Sequence, residues 1–581
     1  MGELENTGIV RSELLFGKVN AISANSLQFE FINLQHEPAY FEGRRYGKGE
    51  VGEFVIIESQ INLILGRIVE IKKADLELSN LDIVGRIQLL GSIQMDNLKV
   101  TAGIDYYPSI NDLIYSAPHD FIAEIPRRMN HITPEIELEI GSIDLDRDCK
   151  ITVTPEKLFG RHLGILGSTG GGKSYTTAKI LEECLRYHPR IILLDATGEY
   201  KDFDQEGVFH LHLGNSINPA SKTTECYLPP ECFLETDFLA LFEPSGKVQG
   251  PKFREALKSL KLARIRNDLY ASEYILKTDQ PKGDFNSLYK SYNLDDPTLS
   301  FNLSHLSFQI EQECIFPDAT NWIEKKPIKD ITRWGNHDGQ SFANCLSLIS
   351  RITTIINSPP FNTLFHPTPK NISLIEKIKG FSSSTDPSHK LLRIDLSGIP
   401  FEYKAREIIA NCIGRALLNE SRQRVFQKKP VVIFLDEAHN FIGKTIGNED
   451  TLAKLDAFEL IAKEGRKFGL NICLATQRPR DITEGVLSQL GTLIVHRLTN
   501  DRDREIVERA CGEIDKAASD FLPSLQPGEA VIIGNDFPIP LTINIKKPTI
   551  KPNSEGANFQ ENWAKKNHPF GWLFQSQTVS Y

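Results

Sequence analysis

Apolar and polar positions fall into two successive patterns along the chain. Up to about residue 150 the apolar runs are short or alternating, as in Leu27 to Ile32, Gly52 to Ile57 and Leu63 to Ile71, and turn-rich pieces such as Gly43 to Gly52 separate them. Repeated short strands without a long helical period predict a small β-barrel. The stretch from Ile125-Pro126-Arg127-Arg128-Met129 to Thr154 reads as a linker. From Leu163 onward, apolar strands alternate with helical periods. Strands are expected at Leu163 to Leu166, Ile191 to Leu194, Leu391 to Leu396, Val431 to Leu435, Asn471 to Ala475 and Thr492 to His496. Helices are expected after Lys173, from Tyr403 to Phe426 and from Phe458 to Phe468. Runs of this kind predict an α/β fold with a mainly parallel sheet covered on both faces.

The alternation blurs between 215 and 390, where Pro251 to Tyr270 and Ser341 to Ile356 read as helices and Gly380 to Lys390 as a closing loop. The expected division is therefore a barrel at 1–150, core at 151–214, a mainly helical insertion at 215–390, core again at 391–547, and a tail at 548–581. The tail carries Trp563, Phe570, Trp572, Phe574 and Tyr581, and reads as a strap across a neighbouring subunit or a docking segment. A chain of 581 residues exceeds one ordinary core, in keeping with several domains.

Composition changes this picture little. The chain is 40% hydrophobic and 24% charged, as ordinary soluble proteins are, and its net charge of −10 excludes a broadly basic coat. Any nucleic-acid contact then has to be local. The helix at Pro251 to Tyr270, with Lys252, Arg254, Lys258, Lys261, Arg264 and Arg266, reads as a solvated face before it reads as a DNA surface. Nine cysteines without a C-x-x-C pair point to reduced thiols in the cytoplasm, and Cys226 with Cys232 lacks the second pair that zinc needs. No apolar run is long enough to span a membrane.

The chemistry centres on Gly164 to Thr177, G-I-L-G-S-T-G-G-G-K-S-Y-T-T, which has the G-x-x-x-x-G-K-[ST] spacing between an expected strand and an expected helix. Gly167, Ser168, Thr169, Gly170, Gly171 and Gly172 would turn backbone N–H groups toward phosphate, with Tyr175 alongside. Lys173 would meet the β and γ phosphates, and Ser174 would hold Mg²⁺. ATP and Mg²⁺ are the expected ligands. The strand Val431 to Leu435 ends in Asp436, placed for the metal's water shell, and Glu437, placed to polarise the attacking water. An acid pair at that strand end points to an ATP hydrolase more than to a kinase or a GTPase switch. Gln477 ends the next strand, where its amide would sense the γ-phosphate or orient water. Arg466, at a helix end far from its own phosphate loop, would supply transition-state charge or merely complement the helix C-terminus. Asp195 and Glu199 are secondary candidates, with a capping or ion-pair role as the alternative.

The segments G-I-L-G-S-T-G-G-G-K-S, D-A-T-G-E-Y, V-V-I-F-L-D-E-A-H-N-F, K-E-G-R-K-F-G-L and L-A-T-Q-R-P, in that order, resemble the HerA family of hexameric DNA translocases, in its bacterial form, within the HerA and FtsK group of P-loop ATPases. The resemblance implies a RecA-like core behind a small N-terminal barrel, and a homo-hexamer around double-stranded DNA with ATP between subunits. It places the family's functional positions on Lys173, Asp436, Glu437, Arg466 and Gln477, with Arg161 as a second arginine serving the nucleotide. It also implies a nuclease or sirtuin-like effector in trans, in DNA end processing or anti-phage defence, since nothing from 1 to 581 resembles either. Two other readings remain. Asp436 to His439 spells D-E-A-H, but that helicase class needs two RecA-like lobes in tandem and only one motor core is legible. The other is a P-loop scaffold that assembles or gates an effector without processive movement. Lys444 is a weak candidate for DNA contact.

Overall fold

Six strands, Leu15–Ile22, Ser26–Phe31, Phe54–Glu58, Leu63–Lys73, Ile83–Ile93 and Leu113–Ser116, form a barrel in the computed structural model, closed where Ser26–Phe31 pairs with Ile83–Ile93. The described residues are 9–554 and 559–564, apart from 33–37, 74–82, 130–133, 144–145, 216–218, 324–325, 367–370, 447–452, 512–518 and 520. The apolar run at Phe54–Glu58 follows from burial on both faces. Val55 and Ile57 point into the barrel, while Phe54 and Ile56 pack on the neighbouring core with Ile539 and Ile543. Each such buried side chain contributes about 1.5–3 kcal/mol, so the barrel is seated firmly on the core sheet.

A sheet of 13 strands forms the rest of the frame. Its parallel part runs in the order Thr492–Val495, Leu163–Leu166, Leu470–Thr476, Val431–Leu435, Ile191–Asp195, Leu391–Asp395, Val208–Leu213, Thr223–Tyr227 and Ile372–Ser373. Glu529–Gly534, Phe537–Ile545, Leu138–Ile143 and Asp146–Val153 extend it antiparallel beyond Thr492–Val495. The strand Leu163–Leu166 lies between two parallel partners, and all four of its residues are buried. That placement puts its C-terminal end in the crevice where ligands of open α/β sheets bind.

Three expectations need correction. The barrel's last strand ends at Ser116, and the stretch read as a linker is helix His119–Arg128 followed by a hairpin on the core sheet. The hairpin's sheet partner, Phe537–Ile545, is remote in sequence, so no local pattern reveals the pairing. The span 215–390 is mainly helical, but Thr223–Tyr227 and Ile372–Ser373 continue the parallel sheet. The basic helix runs Gly246–Ile265 and encloses Pro251, starting before the proline. Most of its cations are neutralised nearby: Lys252 by Glu255, Arg254 by Glu235, Lys258 by Asp295 and Arg264 by Glu273, while Lys261 donates to the Leu294 and Asp296 carbonyls. Just beyond the helix, Arg266 pairs with Asp268. This is a solvated, internally paired face.

No helix among the described residues is long and apolar enough to cross a membrane, and no cluster of three or more His, Cys, Asp or Glu is set to hold a metal directly. Trp563 is exposed, whereas Phe570, Trp572, Phe574, Tyr581 and the Lys444 side chain lie outside the described residues.

Candidate nucleotide site

The loop Gly167 to Gly172 joins strand Leu163–Leu166 to helix Lys173–Leu185, as its spacing predicts. Gly172 is the N-cap, at φ +115°, a left-handed angle that directs the following N–H groups outward. The loop is fastened from both sides. The Ser168 N–H and hydroxyl donate to the Arg497 carbonyl, at 3.0 Å each, and Thr169 Oγ1 donates to Gln477 Oε1 at 2.5 Å. Gln477 is thus in contact with the phosphate loop. Tyr175 lies half-buried on the first turn of the helix.

Beneath the loop sits a residue that the sequence did not single out. His496 is fully buried; its Nδ1 donates to the Glu529 carbonyl at 2.8 Å, and its Nε2 accepts from Thr176 Oγ1 at 2.8 Å. Burial pushes its pKa down to about 4, so the imidazole is neutral. A Cβ on Gly167 would stand 2.6 Å from His496 Cβ, which is why the position is glycine. Gly167→Ala is expected to displace the loop, with a destabilisation of about 1–3 kcal/mol in thermal melting and weakened ATP binding in titration. An isolated histidine at a strand end gives no spacing signal that could have marked it.

Four groups converge on the mouth of the loop. Lys173 is 9% exposed, and burial holds its pKa below the usual lysine range, against the pull of Glu437, Asp436 and Glu199. Asp436 is buried and pushed well above the usual carboxylate range, first by desolvation and then by Glu199, Asp195 and Glu437; Thr197 Oγ1 donates to its Oδ2 at 3.4 Å. Glu199 is also raised by burial, opposed by hydrogen bonds from Ser174 and Thr197. Glu437 takes the left-handed backbone at φ +49°. The buried Oε2 of Glu199 lacks a hydrogen-bond partner, whereas Glu437 Oε2 lies 3.2 Å from His439 Nδ1. Three carboxylates against one ammonium, with an orphaned oxygen on Glu199, form a donor set suited to a hydrated divalent cation.

Asp195 takes the other of its two readings. It accepts the N–H groups of Gly198, Glu199 and Tyr200 and pairs with Arg393 at 2.7 Å, both side chains fully buried. It therefore shapes the turn that presents Glu199. His439 spans to Thr476 Oγ1 at 3.2 Å, tying the acidic strand end to the neighbouring strand end. The described residues contain a single motor sheet, which removes the tandem-lobe reading of D-E-A-H.

The two arginines lie elsewhere. Arg466 is exposed on the short turn Gly465–Phe468, immediately before strand Leu470–Thr476, while Gln477 follows that strand. A seven-residue strand spans about 20 Å at roughly 3.3 Å per residue, so Arg466 is on the opposite edge of the sheet from its own phosphate loop. Arg161 precedes strand Leu163–Leu166 on that same far edge and pairs with Asp536 at 2.6 Å. Arg161 is therefore remote from its own subunit's phosphate loop, which begins only after the strand.

The model of the helicase HerA central domain matches residues 138–329, and that of the helicase HerA-like C-terminal domain matches 423–532. The chain is similar to a DNA double-strand break repair helicase HerA of Sulfolobus acidocaldarius, 25% identical over 89% of this chain and 93% of that one. It is also similar to a probable helicase of Methanocaldococcus jannaschii, 24% identical over 83% and 80%. Among solved structures, the bacterial conjugative coupling protein TrwB is similar with a TM-score of 0.42 and 14% identity, over 75% of this chain and 94% of that one.

Proposed function

The chain belongs to the HerA family of ATP-hydrolysing helicases, and from that premise we propose that it moves double-stranded DNA through a ring of six copies. In this reading each ATP lies between the phosphate loop of one subunit and Arg466 of the next. The observation that carries it is the sheet-wide separation of Arg466 from Lys173, which leaves the arginine no nucleotide of its own to serve. In such a head-to-tail interface the same two edges meet at every boundary, and a ring forms when the rotation between successive subunits closes.

The residues have the following roles. Backbone N–H groups of Gly167 to Gly172 and the Lys173 ammonium hold the β and γ phosphates, with Ser168, Thr169 and Tyr175 shaping the loop around them. Ser174 and Asp436 would hold Mg²⁺, which when bound neutralises charge on the phosphate oxygens. Glu437 takes the proton of the attacking water, Gln477 orients that water, and Arg466 from the next subunit meets the charge that grows on the transferred phosphoryl group. Arg161, on the same edge as Arg466, joins it at the neighbour's nucleotide. A net charge of −10 requires any DNA contact to be local, so contact comes from the inner wall of the ring. A nuclease or sirtuin-like effector acts in trans, in DNA end processing or anti-phage defence.

Linear duplex DNA is expected to raise steady-state ATP hydrolysis severalfold, read by phosphate release. A rate indifferent to DNA would instead favour the scaffold that gates an effector without processive movement.

A further inference from the structure

The Arg466 carbonyl accepts the Gly469 N–H at 3.2 Å, while the side chain is exposed and makes no hydrogen bond or ion pair among the described residues. Its direction is therefore set by its mount. Gly469 closes the turn at φ +79°, where a Cβ would stand 2.3 Å from the Phe426 carbonyl oxygen. On the other side, helix Ala457–Glu464 stops just before Arg466. The Ala462 carbonyl in its last turn is the one opposite which a continuing helix would place the Arg466 N–H. That carbonyl is taken up by a side chain from another part of the chain, His162.

His162 is 2% exposed and stands at φ +69°, a backbone region that residues other than glycine enter only under constraint. Its Nδ1 accepts the Ile472 N–H at 3.0 Å, which leaves the ring proton on Nε2 to be donated to the Ala462 carbonyl at 3.0 Å. Burial lowers its pKa to about 4, so this tautomer persists at neutral pH. The imidazole thus ties the N-terminal end of strand Leu163–Leu166, strand Leu470–Thr476 and the helix end that leads into the turn of Arg466.

We propose that His162 is a positioning residue for Arg466, fixing through the Ala462 carbonyl the angle at which the guanidinium leaves this subunit; this rests on the reading of Arg466 as the group that serves the next subunit's ATP. A displacement of about 1 Å in a group that stabilises the transition state costs up to about a hundredfold in rate.

Two substitutions separate the ring's two bonds. Asparagine tolerates the left-handed backbone and keeps an acceptor near the Nδ1 position, but does not reach Ala462. Glutamine places an amide donor near the Nε2 position. With MgATP and linear duplex DNA, H162N is expected to lower kcat about tenfold with KM for ATP within about twofold. H162Q should recover most of kcat, and H162N should add nothing in an Arg466→Ala background. The assignment is overturned if folded H162N keeps wild-type kcat, or if it costs a further tenfold in the Arg466→Ala protein. Should H162N fail to fold, a folded H162Q with a tenfold lower kcat overturns it, and one with near wild-type kcat supports it. The underlying reading fails separately, and takes the assignment with it, if Arg466→Ala alone turns over like the wild type.

Discussion

Replacing Glu437 by glutamine is expected to slow ATP hydrolysis about a hundredfold or more while leaving ATP affinity within about threefold. The substitution keeps shape and removes only the proton acceptor. Glu437 follows directly on the buried strand Val431–Leu435, its backbone is turned to φ +49°, and its Oε2 faces His439 Nδ1 at 3.2 Å. A carboxylate in that state, next to Asp436 and within electrostatic reach of Lys173, is suited to accept a proton from water beside a bound γ-phosphate. Single-turnover hydrolysis with nucleotide binding measured in parallel checks the assignment. Turnover within a few-fold of wild type would transfer the role to Glu199, whose Oε2 is buried without a hydrogen-bond partner.

The second large effect concerns Arg466. Arg466→Ala is expected to reduce kcat about a thousandfold, the scale on which arginine fingers act in phosphoryl transfer. The decisive measurement mixes two inactive proteins, Arg466→Ala and Lys173→Ala. When loop and finger come from different subunits, an equal mixture that exchanges freely has about a quarter of its interfaces with both groups intact, so activity returns. When both come from one chain, no mixture recovers. The distance between Arg466 and the phosphate loop within one subunit predicts recovery.

What the sequence conveyed depended on how local each signal was. The phosphate loop was legible because its glycines, lysine and serine are contiguous and flanked by a strand and a helix. Asp436 was legible because it directly follows the wholly apolar run Val431–Leu435, and Gln477 because it closes the largely apolar strand Leu470–Thr476, as strands buried between layers are mostly apolar. The hairpin Leu138–Val153 was misread as a linker, since its place is decided by pairing with Phe537–Ile545, a contact that local periodicity does not encode. His162 and His496 were overlooked for a related reason. A lone histidine looks alike whether it is exposed or bridges two buried backbone segments, and only the packed structure tells them apart. Arg161 and Arg466 could be seen as candidates, but which sheet edge they occupy depends on strand direction and length. The basic helix Gly246–Ile265 shows the same limit, because Glu235, Glu273 and Asp295, which neutralise its cations, lie on other elements.

The strand Leu470–Thr476 has Arg466 just ahead of it and Gln477 just behind, and all seven of its residues are buried between parallel partners. In a closed ring it would act as a stiff rod whose one tip rests on a subunit's own nucleotide and whose other tip reaches the neighbour's. Loss of the γ-phosphate at one tip would then register at the other without any hinge between them. The order in which six sites fire would follow from the direction of a single strand.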